Sequence, residues 1–113
     1  MTTAFWNIKN RAELEVDMVM LVLENMSHNQ ELLFKSDLPN NERILSRRVA
    51  NADATTTITE ISAKNNRLTL NIRTVRPGEI AVPSYEVYIT EEDTQQINGY
   101  RKALELFDKI FNS

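Results

Sequence analysis

The stretch Thr55–Val75 constrains this chain more than any other. Two β-branched runs, Thr55–Ala63 and Leu68–Val75, flank Lys64-Asn65-Asn66-Arg67. Asn tolerates positive φ, so Asn65-Asn66 suits the two central residues of a type I′ hairpin. That register sets Ala63 opposite Leu68, Ile61 opposite Leu70 and Thr59 opposite Ile72 on one face. The other face pairs Ser62 with Thr69, Glu60 with Asn71 and Ile58 with Arg73. One face is apolar and the other polar, the mark of a sheet covered on one side.

The flanking segments add strands more weakly. Arg76-Pro77-Gly78-Glu79 has the Pro-then-Gly order of a type II turn. Ile80–Val82 can begin a further strand that Pro83 interrupts, and Tyr85–Thr90 alternates as a strand near a sheet edge. Ser36–Asn41 is a break around Pro39. Glu42–Val49 suits a short basic helix over 42–49, although Arg43–Val49 can also run extended.

Two long helices are expected at the ends. Asn10-Arg-Ala-Glu13 has capping-box spacing, and Ala12, Val16, Val19, Leu23, Met26 and Leu33 follow at helical steps. Glu13–Met18 alternates like a strand, but only a helix gathers Glu13, Asp17, Glu24 and Glu31 on one side. The helix is expected over about 11–34, firmest to Met26. Thr90-Glu-Glu-Asp93 reads as an N-cap with acids in the first turn. Ile97, Tyr100, Leu104, Phe107 and Phe111 then repeat at steps of 3 and 4, giving a second helix over about 91–111. Gly99 within it is a mild weakness. The fold class implied is α+β, a single small domain over 1–113. An antiparallel meander of three or four strands (about 55–63, 67–75 and 85–90) packs on the two helices.

With 113 residues there is room for one modest core, which dimerisation would enlarge. Zero Cys excludes thiolate metal sites and a Cys nucleophile, and two Gly leave no phosphate-cradling loop. One His leaves no two-His metal site within a chain. His28, beside Ser27 and Asn29, reads as a helix-end or surface residue, and Glu91-Glu92-Asp93 as acids at a helix start rather than a cation cage. Glu13 and Asp17, one turn apart, read as a solvated face. No metal, cofactor or catalytic constellation is expected, so the chain is not expected to be an enzyme. The longest apolar run, Met18–Leu23, is too short to cross a bilayer, and the start lacks the pattern of an export signal. A cytoplasmic location with no membrane partner is expected.

The net charge of −3 conceals a basic middle. Residues 41–76 carry Arg43, Arg47, Arg48, Lys64, Arg67, Arg73 and Arg76 against Glu42, Asp53 and Glu60, while both ends are acidic. The cations can pair with the acidic ends internally or form an anion-binding face. The basic strands contain no aromatic residue, which argues against a base-stacking sheet.

The order helix, antiparallel strands, helix is similar to that of small cytosolic dimers such as secretion chaperones and nucleoid-associated proteins. It is an analogy of element order and transfers no residue roles. The leading expectation is a non-catalytic protein-binding module (adaptor, inhibitor or chaperone-like), acting as a homodimer. Phe5, Trp6, Tyr100, Leu104, Phe107 and Phe111 are its candidate partner-binding residues. The alternative is a nucleic-acid-binding protein using the seven central cations.

Overall fold

The computed structural model describes residues 10–29, 31–80 and 82–113. Helix α1 (Arg11–Ser27) is followed by β1 (Leu33–Lys35), a 3₁₀ turn (Pro39–Asn41), β2 (Arg43–Ala50), β3 (Thr56–Lys64), β4 (Arg67–Val75), β5 (Val82–Thr90) and α2 (Ile97–Phe111). The five strands form one sheet in sequence order, each antiparallel to its neighbours. The α+β reading holds, with both helices on one face of the sheet.

The β3–β4 hairpin takes the register read from the sequence, with Ala63 opposite Leu68, Ile61 opposite Leu70 and Thr59 opposite Ile72. Asn65 and Asn66 both have positive φ, 52° and 60°, as a type I′ turn requires. Gly78 sits at φ +81°, the conformation that the third residue of a type II turn needs. The β2–β3 connection is tied by Asp53, which accepts from the Thr55 N–H and hydroxyl. Those hydrogen bonds, the hydroxyl foremost, hold the Asp53 carboxyl below its ordinary range.

Four boundaries differ from expectation. Residues 43–50 are strand β2, not a short helix over 42–49. Every β2 residue has a partner in β3, and Leu45 and Ser46 are buried there, so ladder pairing overrides local preference. Helix α1 stops at Ser27 with His28 as its C-cap and does not reach Phe34, which pairs with Leu45 in β1. Helix α2 starts at Ile97 rather than near Glu91. Thr90 and Asp93 use their side chains on Glu92 N–H and Gln95 N–H, closing local turns in place of a helix start.

The last strand begins earlier than Tyr85 and runs through Pro83. A bulge sets Ile72 opposite Tyr85 and Arg73 opposite Pro83, and the Ser84 hydroxyl donates to the Ile72 carbonyl. β5 is an edge strand, as the proline implies. At the opposite edge β1 covers only Ile44–Ser46. The outer edge of β2 from Arg47 to Ala50 therefore has no strand partner among the described residues.

The core lies between helices and sheet. Val19, Leu23 and Met26 from α1 and Tyr100, Ala103, Phe107 and Ile110 from α2 meet Leu45, Ile61, Ala63, Leu68, Leu70 and Ile89. Asn10 caps α1 by accepting from the Glu13 N–H. At Gly99 the two helices pack tightly, since a Cβ there would lie 2.3 Å from Cγ1 of Val16. Its missing side chain is a packing requirement, not only the weakness that helix propensity suggests. Buried Gln96 joins three elements, accepting from the Thr90 N–H and donating to Glu15 of α1.

Candidate functional site

The apolar stripe of α2 turns inward. Tyr100 and Phe107 are 3% and 0% exposed, and Leu104 and Phe111 are partly buried against the same core. Phe111 stacks on Phe107 at 5.8 Å and meets Phe34 edge-on at 5.7 Å. This row therefore packs on its own chain, and as a partner-docking surface it is already covered. Burial, with Glu91 and Asp108 adding to it, pushes the Tyr100 phenol above its ordinary value. Phe5 and Trp6 lie outside the described residues.

A different row is free. Leu14, Met18 and Leu21 follow one another at steps of 4 and 3 along α1 and are 56%, 36% and 55% exposed. Ala12, Val19, Leu23 and Met26 fill the core from the other side, so α1 is apolar on two faces. Acidic Glu13, Asp17 and Glu24 are exposed on the same helix, and Arg11 begins it. A continuous exposed apolar row bordered by charge is the kind of surface that marks a protein contact.

The seven central cations do not form one patch. Strand alternation puts Arg43 and Arg47 on the helix side of the sheet with Leu45. Arg43 pairs with Asp108 and lies over Phe107 and Phe111, at 5.2 and 5.8 Å from their ring centroids. Its charge is used inside the fold. Arg76 belongs to the turn after β4. Arg48, Lys64, Arg67 and Arg73 share the face that no helix covers, with Lys35 beside them.

That uncovered face contains a hollow of about 420 Å³. Lys64 and Arg67 stand directly opposite each other across the hairpin. Arg67 lies over the ring of Tyr88, 4.6 Å from its centroid, and Tyr88 is 50% exposed. Below them Ser62, Thr69 and Asn71 supply neutral polar groups. The acids on this face are engaged. Glu60 meets Arg73 at 3.2 Å and Lys35 at 3.9 Å, Glu42 accepts from Ser62, and Glu86 accepts from Asn71. Arg48, Lys64 and Arg67 have no carboxylate partner among the described residues.

His28 is exposed at the C-terminal end of α1. Among the described residues no group of His and acidic side chains could hold a metal ion. Within the same residues no helix is long and apolar enough to cross a membrane. No family model matches the chain, and neither the curated proteins nor the solved structures searched contain a significant match.

Two surface features did not follow from the sequence pattern alone. The steps Leu14, Met18, Leu21 were visible in the sequence and could have exposed the second apolar face of α1. Tyr88 beside Arg67 needed the β4–β5 register, which joins residues 21 positions apart through a sheet with a bulge.

Proposed function

We propose that this chain is a non-catalytic protein-binding module that acts as a homodimer, with the outward row of α1 as its contact. The single observation that supports it is the exposed run Leu14, Met18, Leu21 on a helix whose opposite side already fills the core. The occupant we assign is a second copy in antiparallel, two-fold orientation. Leu14 of each copy then meets Leu21 of the other, with Met18 near the axis. Helix α1, with 17 residues, is about 25 Å long, enough for the pair to lie side by side over several turns.

Sedimentation velocity across low to high micromolar concentration tests this reading. A concentration-dependent dimer is expected, and Leu14→Asn/Leu21→Asn should leave a folded monomer. A wild-type chain that stays monomeric throughout, or a dimer that this double variant leaves intact, overturns it. A turnover activity abolished by one polar substitution would overturn the non-catalytic part.

A further inference from the structure

The uncovered face of the sheet has a use separate from the α1 row. We propose that it binds single-stranded nucleic acid, with phosphates on Lys64, Arg67 and Arg48 and a base against Tyr88.

The first argument is charge. Like charges directly opposite on neighbouring strands destabilise a sheet, and Lys64 faces Arg67 at the tip of the hairpin. An anionic group between them removes that repulsion and gains charge-assisted hydrogen bonds. The acids of this face do not cancel its cations: Lys35, Arg48, Lys64, Arg67 and Arg73 outnumber Glu42, Glu60 and Glu86, and among the described residues Glu60 alone of the three is ion-paired, to Arg73 and Lys35.

The second argument is the aromatic group. Binding of unpaired bases needs a ring on a basic strand surface. The fold supplies one by bringing Tyr88 of β5 beside Arg67 of β4, half exposed. Ser62, Thr69 and Asn71 line the adjoining hollow with groups able to meet base edges or sugar hydroxyls.

The third argument is extent. Arg67 and Arg73 are six residues apart on β4, a span of about 20 Å, and Arg48 lies two strands from Arg73. Cations spread so widely fit a chain of phosphates better than the one phosphate group of a mononucleotide. A sheet with one stacking ring also suits an open strand rather than a duplex, whose bases are already stacked.

Fluorescence anisotropy with a labelled oligothymidylate tests the proposal. Neutralising three phosphates predicts an affinity about 20-fold lower at 200 mM than at 50 mM salt, from a slope of about −0.7 per phosphate. Lys64→Gln/Arg67→Gln should weaken binding by about 10-fold or more at low salt. Tyr88→Ala should cost at least about 5-fold. Arg101→Gln, on an exposed position of α2, should change nothing. Lys64→Gln alone removes the like-charge pair and should melt no lower than wild type, which separates lost binding from lost folding. Absence of binding at 50 mM salt, or binding that both the double variant and Tyr88→Ala leave unchanged, overturns the proposal. Equal competition by thymidine monophosphate, by duplex DNA or by polyglutamate overturns it in favour of a free nucleotide, a duplex or a general polyanion. The Leu14→Asn/Leu21→Asn monomer should still bind the oligonucleotide, so failure of the dimer leaves this test standing.

Discussion

The two helices are built from different kinds of pattern, and the difference lies in how much of each apolar surface the fold covers. Helix α2 has one broad apolar side, and its central residues Tyr100, Ala103, Phe107 and Ile110 are buried against the sheet. Helix α1 has two apolar sides, one in the core and one in solvent. The cleaner amphipathic helix is therefore the structural one. The more ambiguous helix carries the exposed apolar row of Leu14, Met18 and Leu21.

Substitutions in both helices test that contrast. Phe107→Ala should have the largest effect, about 3–5 kcal/mol of lost stability, read by urea unfolding. It removes a fully buried ring that Phe111 stacks on and Arg43 covers. A loss below 1 kcal/mol would mean that α2 is not the core helix. Gly99→Ala comes next. Alanine is the better helix former, yet its Cβ would run into the stiff Val16 side chain, so a loss of about 1–3 kcal/mol is expected. Val16→Ala in the same chain should restore part of that loss, and a double-mutant cycle measures the coupling.

On the outer side of α1 the expectation reverses. Leu14→Asn and Leu21→Asn should each change monomer stability by no more than about 0.5 kcal/mol, because both side chains already face water. A large loss would show that this row supports the monomer fold. The smallest effect is confined to alkaline pH. Tyr100 ionises less readily folded than unfolded, so the unfolded chain releases the phenolic proton first. Stability from this group is complete below about pH 10 and falls as pH rises through the higher folded value. Tyr100→Phe should flatten that fall in a pH series of thermal melts, with little effect at neutral pH.

The contrast also explains which parts of the fold were legible in sequence. The β3–β4 hairpin could be read residue by residue because a two-residue Asn turn fixes the register and period-2 alternation fixes the faces. β2 resisted the same reading. Ile44 and Leu45 are adjacent apolar residues, and Arg43 occupies a helix-side position where Phe107, Phe111 and Asp108 accept its charge. A cation on the inner side breaks the alternation that marks a strand. In α1 the competing strand-like run Glu13–Met18 arose because Leu14 and Met18 lie outside while Val16 lies towards the core. The basic segment read as one region is divided by the pleat of the sheet. Its cations go to two faces, and the aromatic neighbour comes from β5.

The brevity of β1 has a consequence for behaviour at high concentration. From Arg47 to Ala50 the backbone N–H and C=O groups on the outer side of β2 meet no strand among the described residues, so they offer a template for another chain to pair with. Two adjacent arginines occupy that stretch, each projecting to a different face. A second copy that pairs through this same stretch must then bring its own Arg47 and Arg48 alongside. The repulsion acts as a guard against fibre-like stacking, and it weakens as salt shortens the range of charge interactions. That guard lies at the rim of the sheet, away from the core between helices and sheet.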